Sequence, residues 1–224
     1  LIPFIRLALG WGYVDGVLVN DGSQTPVYEL HGYDTIDADR QPLAKMKARM
    51  SLAVLYQKDG LEKLKTVEDD PSLPDADKRT KDGIAQLIRG IKEFGAFADE
   101  ARKKMEGPAA SRQEKEEYMN LREGALYIAG DCYNRLARSL AKIPKYADKE
   151  ESLQKQSAER LEAYVSEFPK GKYAKRSYAL LGRIYTQLEE VLKGKDALTR
   201  LKKEFPDSEE ARKAMPQLAQ SMVE

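Results

Sequence analysis

Residues 176–207, RSYALLGRIYTQLEEVLKGKDALTRLKKEFPD, decide the fold of this chain. Apolar or small residues recur there at intervals of three and four, which places them on one face of a helix. These are Tyr178, Leu181, Gly182, Tyr185, Leu188 and Val191 or Leu192. The pattern restarts after Gly194, and Pro206 ends it because proline disfavours helical geometry in the preceding residue. The stretch predicts two antiparallel helices joined by a short turn.

Gly182 is the unusual member of this apolar face. A glycine inside a helix costs about 1 kcal/mol relative to alanine, so its presence calls for a compensating use. We expect that Gly182 allows a second helix to approach closely.

The same pattern occurs once more upstream. Residues 130–136, GDCYNRL, match residues 182–188, GRIYTQL, and Phe168-Pro169 matches Phe205-Pro206. A small-x-x-Tyr-x-x-Leu helix, followed by an Ala/Leu-rich helix that ends in Phe-Pro, resembles the tetratricopeptide repeat. The ending at residues 164–174 resembles, more narrowly, repeats of bacterial outer-membrane assembly lipoproteins and periplasmic repeat proteins.

The resemblance covers residues 123–215, with its clearest units at 123–171 and 173–207. Gly130 and Gly182 are 52 residues apart, whereas the family period is about 34. The first unit must therefore be longer, through an inserted turn or a longer first helix. The resemblance implies an all-α, superhelical array of antiparallel helix pairs.

The resemblance also implies a binding surface, because the first helix of each repeat lines the concave side of such arrays. With Gly130 and Gly182 at equivalent positions, the groove residues are Tyr127, Asp131, Asn134 and Arg135 in one unit, and Arg176, Ala179, Arg183 and Gln187 in the other. Guanidinium, amide and aromatic groups could hydrogen-bond an extended peptide or hold a carboxylate. The alternative interpretation is that these side chains are ordinary solvent-facing residues of the two helices.

Composition limits the class of protein. The 224 residues include 38 basic and 37 acidic side chains, for a net charge of +1, so nothing indicates nucleic acid as a partner. One cysteine excludes an internal disulfide and is compatible with both cytosol and periplasm.

Residues 1–40 are predicted to form an apolar N-terminal arm ahead of a helical-repeat domain at 41–224. Residues 1–12, LIPFIRLALGWG, are shorter than the ~20 residues that span a bilayer. A packed arm, the remnant of a membrane anchor and an arm that docks on a partner through Trp11 are the competing interpretations. Residues 13–30 predict a β-hairpin, because Asp21-Gly22 supplies the positive φ of a tight turn.

About seven helices are expected after residue 40. Asp37 or Asp39 is expected to cap the first, with Pro42 in its first turn and a possible break at Gly60. The next runs over about 76–105, and Ser111 with Glu114 forms a capping box for the third. Later helices are expected to stop before Pro144, at Phe168 and at Phe205, with Pro216 bending or ending the last.

Few residues suggest reaction chemistry. His31 and Cys132 are far apart in sequence, and Cys132 lies on an apolar helix face, so it is interpreted as a small buried apolar residue. Asp34, Asp37 and Asp39 do not have the spacing of a calcium loop. No enzymatic activity, cofactor or metal is therefore predicted.

The sequence predicts a non-enzymatic scaffold or adaptor that binds other proteins in a larger assembly. The resemblance and the apolar N-terminal end favour the bacterial periplasm or cell envelope, with membrane association through that end. The cytoplasm is the alternative location. The alternative function is a module that binds peptides transiently in its concave groove.

Overall fold

The computed structural model describes residues 5–8, 11–14, 19–20, 26–27, 42–107 and 111–220. The chain divides into two compact units, Leu1–Arg122 and Glu123–Glu224. Four short strands come first: β1 (Ile5–Ala8), β2 (Trp11–Val14), β3 (Val19–Asn20) and β4 (Pro26–Val27). Seven helices follow: α1 (Pro42–Asp69), α2 (Ala76–Glu106), α3 (Arg112–Ala141), α4 (Glu150–Glu167), α5 (Ala174–Gln187), α6 (Val191–Glu204) and α7 (Glu209–Gln220).

The strands form two antiparallel pairs. Ala8 is paired with Trp11 in β1 and β2, and Val19 is paired with Val27 in β3 and β4. The predicted turn residues Asp21 and Gly22 lie outside the described residues, as do the side chain of Trp11 and all of 28–41. The interpretation of residues 1–40 as an arm stays a prediction.

The prediction of an all-α fold with seven helices is confirmed for the described residues 42–107 and 111–220. Pro42 is the first residue of α1, as expected. The possible break at Gly60 is absent, since α1 continues to Asp69. A Cβ atom at Gly60 would lie 2.8 Å from the carbonyl oxygen of Gly83 in α2, so this glycine serves a close helix contact.

The capping box at the start of α3 is confirmed. The Glu114 backbone N–H donates to Ser111 Oγ at 3.2 Å, and the Ser111 backbone N–H donates to Glu114 Oε2 at 2.8 Å. Two N–H groups without helical partners are thereby satisfied. At the other end of the chain, α7 continues past Pro216 to Gln220, so this proline does not end the helix.

The helix pair α5–α6 shows why Gly182 is a glycine. A Cβ atom there would lie 2.6 Å from Leu198 Cγ, which confirms the predicted close approach. The turn between the helices differs from the prediction, because α5 ends at Gln187 and Gly194 lies inside α6. Glu189 takes a φ of 60° to close this turn.

The early turn moves two apolar residues out of the core. Val191 is 42% exposed and Leu192 is 83% exposed, so the prediction that one of them faces inward is wrong. The core of the second unit instead contains Leu161, Tyr164, Leu181, Ile184, Leu198 and Leu201.

The helix pair α3–α4 repeats the same contact with longer elements. A Cβ atom at Gly130 would lie 2.8 Å from Leu161 Cγ. Its connector contains a six-residue 3-10 helix, Pro144–Lys149, and α4 has 18 residues where α6 has 14. In addition, α3 continues further past Gly130 than α5 does past Gly182. The 52-residue spacing thus arises from a longer first helix, an enlarged connector and a longer second helix.

Candidate functional site

A groove of about 590 Å3 lies in the second unit, between side chains of α3, α5 and α7. Its lining from α3 is Tyr127, Asp131, Asn134, Arg135 and Arg138; from α5, Arg176, Ala179, Leu180 and Arg183; and from α7, Glu210, Lys213 and Ala214. The groove is open and mixes charged, amide, aromatic and small apolar groups.

Helical spacing accounts for this arrangement. Asp131, Asn134 and Arg138 recur at intervals of three and four on α3, so they share one face. Gly130 belongs to another face of α3, where Leu161 of α4 covers it. The packed face fixes each helix against its partner and leaves the groove face accessible.

The structure brings seven of the predicted groove residues together: Tyr127, Asp131, Asn134, Arg135, Arg176, Ala179 and Arg183. Gln187 does not line it, since its Oε1 atom accepts a 3.4 Å hydrogen bond from Gln154 Nε2 near the start of α4. Trp11 belongs to the first unit, and its side chain lies outside the described residues.

Three basic groups of the groove have acidic partners. Arg135 Nε is 2.6 Å from Asp131 Oδ2, and Arg176 Nε is 3.8 Å from Glu210 Oε1. Lys213 Nζ is 2.6 Å from Glu209 Oε1. These pairs neutralise part of the positive charge and hold the two acidic groove residues in place.

Arg138 and Arg183 are different. Neither has an ion-pair partner among the residues that the structure describes. The pKa of Arg183 is lowered, first by partial burial and then by the Arg138 cation, and Asp131 offsets only part of this, although both arginines remain exposed to solvent. The groove therefore contains two exposed cations that repel each other.

Asn134 adds an unsatisfied polar atom beside them. Its side chain is 2% exposed and lines the groove, yet its Oδ1 atom has no hydrogen-bond partner among the described residues. A buried amide oxygen without a donor costs about 1–3 kcal/mol. A ligand with an N–H or O–H group would remove that cost.

Aromatic rings support the groove at Tyr127. The Tyr127 and Tyr173 rings stack with centroids 4.5 Å apart and planes 2° from parallel. Tyr127 also meets the buried Tyr164 ring edge-on at 6.1 Å. Burial raises the pKa of Tyr127, so its hydroxyl is neutral and able to donate or accept a hydrogen bond.

Glu123 fixes the loop that carries Tyr173. Its Oε1 atom accepts a hydrogen bond from Tyr164 Oη at 2.8 Å and another from the backbone N–H of Lys172. The Tyr164 hydroxyl in turn accepts the Tyr173 backbone N–H at 3.0 Å. A Cβ atom at Gly171 would collide with Glu123 Oε1, so this network requires glycine at that position.

Cys132 is fully buried, which confirms its interpretation as a small apolar residue. Burial raises the pKa of its thiol strongly, so the nucleophilic thiolate is not populated near neutral pH. His31 lies outside the described residues. Within 42–107 and 111–220, no group of three or more His, Cys, Asp or Glu side chains could hold a metal ion.

Sequence reasoning missed Arg138, Glu210 and Lys213 as groove residues. Arg138 could have been found, because it follows Asn134 by four residues on the same helix face. The two α7 residues follow the last repeat-like unit, and no pattern linked them to α3 or α5.

None of the described helices is sufficiently long and apolar to cross a membrane. No protein-family model matches this chain, and no curated protein matches it.

Proposed function

We propose that this protein is a non-enzymatic protein–protein interaction module whose groove binds an extended segment of a partner protein. It serves as an adaptor or scaffold in a multi-protein assembly. One observation carries the proposal: one groove is lined by Arg138 and Arg183, which have no ion-pair partner in the described part of the chain, and by Asn134, whose buried amide oxygen has no hydrogen-bond partner there.

The chemistry of these groups suits a peptide. Guanidinium groups donate to carboxylate and carbonyl oxygens, and a buried amide oxygen accepts from a backbone N–H. Ala179 and Leu180 give the groove floor apolar surface, and Tyr127 provides an aromatic wall held by its stack on Tyr173. Binding sites of this kind combine apolar surface with a few fixed polar groups.

Repetition of the helix pair supports a tetratricopeptide-like arrangement. Gly130 beneath Leu161 and Gly182 beneath Leu198 occupy equivalent places, and each leucine precedes the terminal phenylalanine by the same seven residues. Phe168 and Phe205 close their helices with similar backbone angles, φ −124° and ψ 62° against φ −136° and ψ 56°. In such arrays the first helices line the binding face.

A location in the bacterial periplasm or cell envelope, with association through residues 1–12, is part of the proposal. It rests on the resemblance of residues 164–174 and on the apolar N-terminal segment. Cytoplasmic location is the alternative.

A displayed library of random peptides, selected on the full chain, tests the groove. Peptides that bind the wild type should lose at least about tenfold in affinity to Ala179→Trp, because the indole fills the groove and displaces ligand contacts. The matched control is Ala163→Trp, at an exposed position of α4 outside the groove lining. Equal affinities for both variants would exclude the groove as the binding surface.

A further inference from the structure

We propose that the groove contains a subsite for a phosphate monoester, formed by Arg138, Arg183 and Asn134, so that the partner segment is recognised in its phosphorylated form. The inference rests on the proposed function and specifies which ligand group the groove selects.

The charge of the groove favours a ligand with more than one negative charge. The groove has five basic and two acidic lining residues, and ion pairs engage Arg135, Arg176 and Lys213. Two positive charges remain, on Arg138 and Arg183. A single carboxylate carries one negative charge and would leave one cation unpaired, whereas a phosphate monoester carries about −1.5 to −2 at pH 7.

The donor geometry of the two guanidinium groups also favours a phosphate. Each guanidinium presents a planar fork of N–H groups that can pair two oxygens of one anion. A phosphate monoester has three strong acceptor oxygens, so two forks can engage it from different sides. A carboxylate has two oxygens in one plane, so a single fork already engages both.

Asn134 adds a buried hydrogen-bond acceptor to the subsite. Its buried Oδ1 atom accepts hydrogen bonds and needs a donor next to the anion. A phosphorylated residue supplies one in its own backbone N–H, and a phosphate monoanion supplies another as P–OH. A phosphorylated residue thus pairs its anionic group with a backbone N–H donor in one ligand.

The neighbouring acidic groups do not oppose this ligand. Asp131 is held by Arg135 at 2.6 Å, and Glu210 faces Lys175 and Arg176 at 3.9 and 3.8 Å. Because both carboxylates are paired, they reduce the positive potential without occupying the Arg138 and Arg183 donors.

Phenyl phosphate and benzoate are a matched pair of probes, since both place an anion on the same ring. Titration of the full chain, followed by NMR of the arginine side-chain Nε–H signals, should show phenyl phosphate binding at least about tenfold more tightly than benzoate. Arg138→Gln and Arg183→Gln should each weaken phenyl phosphate by about tenfold. Arg160→Gln, which removes an exposed arginine of α4 outside the groove lining, should not.

The proposed subsite would be overturned if benzoate and phenyl phosphate bound equally, or if neither bound. It would also be overturned if Arg160→Gln lost as much affinity for phenyl phosphate as Arg138→Gln and Arg183→Gln. Peptides selected from the unphosphorylated library distinguish the two claims. If phosphorylation of a serine at one position of such a peptide does not raise its affinity, the proposed phosphate subsite is wrong. The proposal that the groove binds peptides is then retained. If phenyl phosphate binds at Arg138 and Arg183 but no peptide binds, the proposed function fails and a small phosphate ester is the ligand.

Discussion

Gly182 lies directly against Leu198, and a Cβ atom on the glycine would come within 2.6 Å of Leu198 Cγ. Gly130 has the same relationship to Leu161, at 2.8 Å. Each glycine lets the second helix of its pair approach the first, while other faces of α3 and α5 line the groove. Neighbouring contacts also correspond: Ser157 Oγ donates to the Gly130 carbonyl oxygen at 2.8 Å, and a Cβ atom at Gly194 would lie 3.3 Å from the Gly182 carbonyl oxygen.

Gly182→Ala is expected to destabilise the protein by about 1 kcal/mol, because overpacking costs ~1–3 kcal/mol and exceeds the helical gain of ~1 kcal/mol. Gly95→Ala is the control, since no atom of the described residues lies within 4 Å of a Cβ atom at that position of α2. It should stabilise the chain by about 0.5–1 kcal/mol. Urea unfolding followed by circular dichroism measures both. A stabilising Gly182→Ala would show that the close approach is unimportant.

Asn134→Leu is expected to raise the free energy of unfolding by about 1 kcal/mol while abolishing peptide binding, because it removes a buried oxygen that only a ligand satisfies. Ser177→Ala is the control. Ser177 Oγ is also buried without a partner among the described residues, but Ser177 does not line the groove. It should add stability and leave binding unchanged. Loss of stability in Asn134→Leu would indicate that this amide is structural.

Tyr164 is expected to make stability fall at alkaline pH. Burial, reinforced by the hydrogen bond to Glu123, raises its pKa above the 10.0 of a free tyrosine. The contribution of Tyr164 to the free energy of unfolding is fully present below pH 10 and is lost as the pH rises beyond it. The reason is that the unfolded chain then releases a proton that the folded chain retains. The loss approaches about 1.4 kcal/mol per pH unit.

Tyr164→Phe should therefore flatten the decline above pH 10 and cost about 1–2 kcal/mol at pH 7, where Glu123 and the Tyr173 N–H lose a partner. Other buried tyrosines with a raised pKa, such as Tyr185, keep part of the decline. Urea unfolding between pH 7 and 11 gives both quantities. Tyr133→Phe, at a partly buried position of α3, serves as the control. An unchanged alkaline slope in Tyr164→Phe would refute this account of the pH dependence.

Cys132 is expected to resist thiol reagents in the folded protein. The side chain is fully buried and its pKa is raised, so neither access nor thiolate supports reaction. Labelling with a chromogenic disulfide reagent should be slow in buffer and fast in denaturing urea. Rapid labelling in buffer would mean that α3 opens locally far more often than its packing indicates.

The helix boundaries could be predicted where the sequence contains a local signal. Ser111 with Glu114 marked the start of α3, and the Phe-Pro pairs marked the ends of α4 and α6. The turn at residues 188–190 could not be predicted, because it consists of residues that favour helices. In addition, Glu189 adopts a positive φ at a position where a glycine would have signalled the turn. Leu192 was misplaced for the same reason, since the early turn changes its helix and its face.

The candidate groove could be predicted in part. Alignment of Gly130 with Gly182 placed Asn134 and Arg183 on one surface, since helical spacing relates residues along each helix. The alignment wrongly assigned Gln187 to the groove, because it could not show that Gln154 of α4 hydrogen-bonds to Gln187 at the end of α5. The contribution of α7 depends on how a third helix packs, which no periodicity within one helix reveals.

Site-specific photo-crosslinking tests the central claim most directly. A photoreactive phenylalanine derivative would replace Ala179 in the groove or Ala163 on the exposed face of α4, in cells that express the full chain. The account predicts adducts to an extended segment of a partner protein from position 179, and none of that partner from position 163. The same partner captured equally at both positions, or only at 163, would contradict it.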